Sequence, residues 1–433
     1  MRLSFSISGT TLRVVEERMP LGRRYLLPYA PERIEELSAE LLSSLERANR
    51  ARTLSGANLG NLKQAGEELH RILLPPALGA RLRGTMGSLS VSIDQELASI
   101  PWELLYDGEQ FLCRRFDLGR LLCSDWQAQA TVWRPLELQA PLKMLVICSD
   151  TRGDLDRLDE ECNGLVTALD PKRDMLSVRL LRAQDLESVR RSLKSYDIVH
   201  FAGHADYDPK EPGGAGWLLP DGKLTAQEIA QLGTARPMPF LVFSNACQTG
   251  VEGPWERDRQ GRVLGLAGAF LLSGARFYVG TQWELVDGIG ARVAAHFYDA
   301  LGRGANMGAA LRAARLRVVE EEGEDALGWA TYVLWGDPTW VPLPARAASA
   351  AGPERQGGAT ARLGHRATLP WKRRLGVSRQ AGHSSSATGG GSKDAGPSQA
   401  QPSLPPWIVA GVMVILILAA AALGAWLFHL FAG

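Results

Sequence analysis

A chain of 433 residues with 45% hydrophobic and 22% charged side chains has a globular composition and the length for two domains. Its 48 Lys and Arg against 47 Asp and Glu leave a formal net charge of +1, which removes any whole-chain electrostatic argument for a nucleic-acid partner. Five cysteines (Cys113, Cys123, Cys148, Cys162 and Cys247) are too few and too scattered for a disulfide framework, and without C-x-x-C spacing they predict no metal site and a reducing compartment.

The N-terminus opens without a long apolar core, so no secretory signal is expected there. Residues 3–8 alternate apolar and polar, as a half-buried strand does. Pro31 opens a helix rich in Glu and Leu that runs to about Asn49. A second helix, about Leu62 to Leu73, stops at Pro75 and Pro76. Residues 88–93 alternate again, and residues 100–108 form an extended run that ends in a turn. Residues 1–135 read as an α+β region without a catalytic constellation.

Residues 141–344 alternate strand and helix patterns. Strands are expected at 143–148, 176–181, 198–202, 240–243 and 275–280. Helices are expected around 158–169, 185–194, 225–232, 263–272, 288–301 and 306–321, with Asp185 as a cap. This order predicts an α/β fold, a mainly parallel sheet with helices on both faces. Ligands of such sheets bind beyond the carboxyl ends of the strands. His204 and Cys247 each fall just past a predicted strand, so two strands deliver them to one edge.

Residues 345–406 are rich in Ala, Gly, Ser, Arg and Pro and read as a disordered basic linker. Its cluster Trp371, Lys372, Arg373 and Arg374 suits contact with anionic lipid, or simply solubility. Residues 407–431 contain no Asp, Glu, Lys or Arg, and about 20 apolar residues span a bilayer core. Trp407 and Trp426 stand near the two ends, as interfacial aromatics do. The stretch is expected to be a single transmembrane helix acting as a tail anchor. The basic excess of the linker predicts that residues 1–344 lie on the cytoplasmic side.

A thiol with a pKa near ~8.5 is mostly protonated at neutral pH, and a neighbouring imidazole can take its proton. The thiolate of Cys247 would attack a carbonyl, and His204 would protonate the leaving amine. The developing oxyanion needs backbone N–H donors, for which Gly203 and Cys247 are candidates. On the residues alone, a buried structural Cys and a structural His are equally good readings. Cys148 also ends a strand and is the internal rival nucleophile. His200, inside its strand, and His296, on a helix, read as structural.

Five ordered strings resemble the CHAT domain family, which groups with caspases and separase among the caspase-like cysteine peptidases. Two carry the dyad: His200 to His204 (His-Phe-Ala-Gly-His) and Ser244 to Gly250 (Ser-Asn-Ala-Cys-Gln-Thr-Gly). The other three are Pro101 to Asp107, Val279 to Asp287 and Trp329 to Pro338. The resemblance covers about residues 90–340 and implies a caspase-like three-layer sandwich, with residues 1–135 as a candidate pseudo-caspase-like half. It implies an endopeptidase with His204 as base and Cys247 as nucleophile, no cofactor, a protein substrate and an upstream activator in a bacterial signalling, defence or cell-death system. It also implies cleavage after a selected residue, often basic in related peptidases. Asp287 or Asp206 would supply the carboxylate for it, with a helix N-cap as the equal alternative for Asp287. Ala205 stands where the family's second glycine is usual, and Asn245 precedes Ala246 where small or polar residues vary. A catalytically inactive scaffold that recruits partners to the membrane is the competing reading, and a small-molecule hydrolase or transferase the third.

Overall fold

The computed structural model describes residues 1–17, 21–51, 56–123, 138–153, 155, 158–182, 184–207, 212–232, 238–246, 265–282, 288–324 and 328–342. The expected linker (345–406) and transmembrane helix (407–431) lie outside the described residues. Among the described residues no helix is long and apolar enough to cross a membrane.

The first region begins with β1 (Arg2–Ser8), β2 (Thr11–Glu17) and β3 (Arg23–Pro28) as an antiparallel meander. β1 turns Leu3 and Phe5 inward between more exposed serines, which fixes its register. The helices α1 (Pro31–Ala51), α2 (Gly56–Leu73) and α3 (Pro76–Arg83) follow. Pro76 ends the preceding helical run and also starts α3, because its missing N–H and fixed φ suit a first helical turn. β4 (Gly87–Asp94), the short helix α4 (Leu112–Arg115) and β5 (Phe116–Cys123) complete the region.

The second region runs through β6 (Leu142–Ser149), α5 (Leu158–Leu169), β7 (Leu176–Arg182), α6 (Leu186–Leu193) and β8 (Ile198–Gly203). A small three-stranded sheet interrupts it: β9 (Ala205–Asp206), β10 (Gly216–Leu219) and β11 (Gly222–Thr225). Then come α7 (Ala226–Leu232), β12 (Leu241–Asn245), α8 (Leu266–Leu272), β13 (Phe277–Thr281), α9 (Ile289–Gly302), α10 (Met307–Glu322), α11 (Gly328–Thr331) and β14 (Tyr332–Trp335). Asp185 and Asn306 cap α6 and α10 by accepting from Ser188 N and Ala309 N.

All the large strands join one 11-stranded sheet in the order β3-β2-β1-β4-β5-β14-β13-β12-β8-β6-β7. It is largely parallel, and antiparallel only at β1–β2, β2–β3 and β13–β14. Because β14 runs parallel to β5 but antiparallel to β13, the two regions point their strands in opposite directions. The carboxyl ends of β6, β8, β12 and β13 therefore share one edge, opposite to the edge reached by β4 and β5.

Side chains alternate across the second region's strands. Val146, Phe243 and Val279 pack with Leu165, Phe297 and Leu311 of α5, α9 and α10. Leu145, Val242 and Tyr278 face the other way, in the core that holds Val189, Ile229 and Phe270 of α6, α7 and α8. Helices thus cover both faces of an α/β sheet, as the order of elements predicts.

The seam between the regions is sealed by charge. At the single β5–β14 pair, Arg120 opposite Trp335, the Arg120 guanidinium lies 5.3 Å from the Trp335 ring. It donates to Glu103 Oε1 at 3.0 Å and to Ala98 O at 3.1 Å, and both Arg120 and Glu103 are 1% exposed. Glu103 comes from the Pro101–Asp107 string, which therefore serves the seam. α10 ties the same join: Arg312 bonds Asp117 on β5 at 2.7 Å, and Arg315 donates to Tyr332 O at 2.5 Å. At Gly336 a Cβ would fall 2.7 Å from Arg276 O, with φ at +132°, so only glycine lets the chain leave β14 there.

Candidate active site

The site edge is set by strand order. The chain enters the second region's sheet at β6, adds β7 on one side and then β8, β12 and β13 on the other. The order reverses between β6 and β8, the point where an open α/β sheet forms its ligand crevice. The residues just past these two strands are Asp150 and His204. His204 Nε2 lies 3.2 Å from Asp150 Oδ1, and the His204 ring is mostly buried.

The Asp150 carboxylate is built in place. Its Oδ1 accepts from Gly153 N at 2.7 Å and Arg152 N at 3.2 Å, and its Oδ2 from Leu155 N at 3.2 Å. Burial works to raise this carboxyl, but the N–H groups of Gly153 and Leu155, the His204 ring and the N–H of Arg152 outweigh it and hold it below the ordinary carboxylate range. An anion at this position fixes the imidazole tautomer: Nε2 carries the proton that Asp150 accepts, and Nδ1 keeps its lone pair. The His204 main chain is fixed as well, its carbonyl accepting from Leu218 N of β10 at 2.9 Å.

Gly203 precedes His204 on a crowded line. A Cβ there would sit 2.3 Å from Ser149 O, so the close approach of β6 requires glycine. β12 pairs β8 in parallel, Ser244 opposite Phe201 and Asn245 opposite Ala202. Trp217 Nε1 donates to Ser244 Oγ at 2.8 Å. Asn245 is held from two sides, by Tyr332 Oη donating to its Oδ1 and by its own Nδ2 donating to Glu161 of α5. Thr281, at the end of β13, donates to Ala246 O at 2.5 Å. The description of β12 and its continuation ends at Ala246. Cys247 and Asp287 lie outside the described residues.

The CHAT domain model matches residues 63–337. The chain belongs to the CHAT domain family. The CHAT match begins in α2 and takes in β4, β5 and every element of the second region. Similar solved structures include the Saccharomyces cerevisiae separase–securin complex, at 12% identity and TM-score 0.49, covering 77% of this CHAT chain and 30% of that chain. Another is the Arg-specific cysteine proteinase gingipain R, at 12% identity and TM-score 0.42, covering 71% and 76%. The complex of Porphyromonas gingivalis RgpB pro- and mature domains is a third, also at 12% and 0.42, covering 65% and 69%. The chain spans less than a third of the separase chain. No curated protein matches it.

The cysteines divide sharply. Cys148, the rival nucleophile on sequence grounds, is bonded to Cys162 of α5 in a disulfide. It therefore has no thiol to offer, and this bond stands against the reducing setting expected from the cysteine pattern. Cys113 is fully buried, which pushes its thiol up to about 11, so it stays protonated. Cys123 is exposed at the end of β5, in the other region. His200 stacks on Phe243, and its Nδ1 lies 3.4 Å from the Tyr298 hydroxyl. His296 pairs with Glu321 at 3.3 Å. Both are structural, as expected. Asp206 lies on β9 with its carboxylate 3.1 Å from Lys223 Nζ.

Sequence reasoning names no side-chain partner for His204, and the structure places Asp150 beside it. The signal was available: Asp150 stands just past β6 as His204 stands just past β8. It was masked by its setting, since Asp-Thr-Arg-Gly reads as an ordinary turn and Asp150 does make the turn's hydrogen bonds.

Proposed function

We propose that this CHAT protein is a cysteine endopeptidase in which Cys247 is the nucleophile, His204 the base and Asp150 the residue that positions His204. The observation that carries the reading is the β8–β12 register. Ala202 lies opposite Asn245 at the ends of neighbouring parallel strands, and in sequence His204 and Cys247 each follow two residues later. Neighbouring strands lie about 4.8 Å apart, within reach of a thiol and an imidazole. Elimination supports it, since the described cysteines are bonded, sealed as thiols or placed in the other region.

The chemistry follows from the tautomer. Nδ1 of His204 takes the Cys247 proton, and the thiolate adds to the scissile carbonyl. The imidazolium, stabilised by anionic Asp150, protonates the leaving amine, and water then hydrolyses the thioester. The N–H groups of Gly203 and Cys247 are the proposed oxyanion donors. Asp206 already faces Lys223, so Asp287 is the better candidate carboxylate for a basic residue before the scissile bond.

The same proposal assigns residues 407–431 as a membrane-spanning helix, residues 345–406 as its tether and the CHAT domain to the cytoplasmic face, under an upstream activator in a defence or cell-death pathway. The apolar run and the basic linker support the anchor and its orientation, while the Cys148–Cys162 bond weighs toward an oxidising side. Protease protection of tagged chains in sealed vesicles decides the orientation. Profiling of cleaved peptides from a proteome digest, with Cys247→Ala as control, decides the activity. Identical digests from the two chains would refute it.

A further inference from the structure

One polar group at the site edge has no partner. Gln282 follows β13, and extending the parallel register from Phe243 opposite Val279 puts it level with Ala246, the residue before Cys247. Its neighbour Thr281 touches that level directly, through the hydrogen bond to Ala246 O. Its own N–H is engaged by Thr331 O at 3.0 Å. The side chain is only 7% exposed, yet Oε1 is buried without a hydrogen bond.

A buried acceptor left unpaired is costly and uncommon, and in a native structure it calls for a reason. Other described polar groups on this edge are paired: Asn245 on both ends of its amide, Ser244 with Trp217, and Asp150 with three N–H groups. A Leu or Met would fill the Gln282 position without that cost. Polypeptide brings a main-chain N–H at every residue except proline.

We infer that Gln282 is a substrate-binding residue whose carboxamide oxygen accepts a main-chain N–H of the bound polypeptide beside the scissile bond. This rests on the peptidase reading and deepens it. The interaction is present in both bound substrate and transition state, so it acts on binding more than on turnover. It recognises the backbone and leaves side-chain selection to other residues.

The test combines Gln282→Met with a peptide substrate of the wild-type protein, N-methylated at one main-chain amide at a time. Gln282→Met is expected to raise KM about tenfold, the worth of one well-placed hydrogen bond, with kcat within about twofold. Its melting temperature is expected to stay level or rise, because an unpaired buried acceptor has gone. One N-methyl position should cost the wild type about tenfold and cost Gln282→Met nothing further. Losses that add at every position, or an unchanged KM, overturn the inference. So does a lowered melting temperature with kcat and KM failing together, which marks a structural residue. Should Gln282→Met not fold, Gln282→Leu takes its place in the cycle. A wild-type chain that, like Cys247→Ala, cleaves no peptide overturns the peptidase reading itself. Wild-type cleavage with additive losses overturns only the role of Gln282.

Discussion

Two contacts made by carboxylates divide this molecule. In the first region Glu103 meets Arg120 at the seam, both sealed from solvent, with Trp335 over the guanidinium. In the second region Asp150 meets His204 at the open edge of the sheet, where the strand order reverses. The first contact has no route to a ligand, and its chemistry is spent on holding β5 to β14. The second holds an imidazole at the edge, beside a neighbouring strand that leads to a thiol. A charged pair therefore declares its role by where the topology places it. The opposed strand directions of the two regions reinforce this, because they put the carboxyl ends of β6 and β8, with Asp150 and His204 beyond them, on the edge opposite to that reached by β4 and β5.

The largest effect expected from breaking this contrast is at the seam. Glu103→Ala leaves a buried guanidinium without its partner and should cost about 3–5 kcal/mol in urea unfolding. Replacing both residues by Met should recover most of that loss, because a well-packed apolar pair can substitute for a buried ion pair. A double variant as unstable as the single one would give the pair a role beyond charge compensation.

Asp150→Asn should do the reverse. We expect kcat/KM to fall about 100-fold, within the usual contribution of a positioned base, with little change in unfolding midpoint. Asp150→Glu should restore part of the rate, which a purely structural loop residue would not do. Equal losses of stability and rate would make Asp150 a turn residue and nothing more.

A smaller effect is expected below the edge. Trp217→Phe keeps the stack on Phe201, whose centroid lies 4.4 Å away, but loses the bond to Ser244. It should cost about 1 kcal/mol, read from the same urea curves.

The last comparison sets two histidines of one strand and its end against each other, and at neutral pH its effect is the smallest. Burial drives His200 down to about 3, while an unfolded chain titrates near ~6.5. The unfolded state then binds the proton more readily. The stability this site contributes is complete above about pH 6.5 and is lost as pH falls from there toward 3. His200→Phe should flatten the melting temperature against pH in that window. An unchanged slope would mean that His200 is not sealed.

Much of the second region was legible because β6, β8, β12 and β13 are largely apolar runs and α5, α9 and α10 are long helices. The pattern from 158 to 169 reproduces α5, and Asp185 caps α6 as its sequence suggests. β5 was hidden by its polar content. Phe-Asp-Leu-Gly-Arg does not look like a central strand, and partners distant in sequence, Glu103, Ala98 O and the Trp335 ring, make Arg120 tolerable there. β14 is four residues long and antiparallel to its neighbour, too short for periodicity to register. The Cys148–Cys162 bond joins a strand to a helix through 14 positions of sequence, a spacing with no signature. Of the site, His204 was legible from its place after an apolar run. Asp150 and Gln282 were not, since one resembles a turn and the other owes its meaning to a missing partner.

The most direct test of the dyad is intact-mass analysis after treatment with a peptidyl acyloxymethyl ketone at neutral pH. The expected result is a single adduct on Cys247 in the wild type and none in Cys247→Ala. His204→Ala should label far more slowly, with Cys113, Cys123, Cys148 and Cys162 unmodified. Labelling that persists in Cys247→Ala, or a His204→Ala chain that labels at the wild-type rate, would contradict the account.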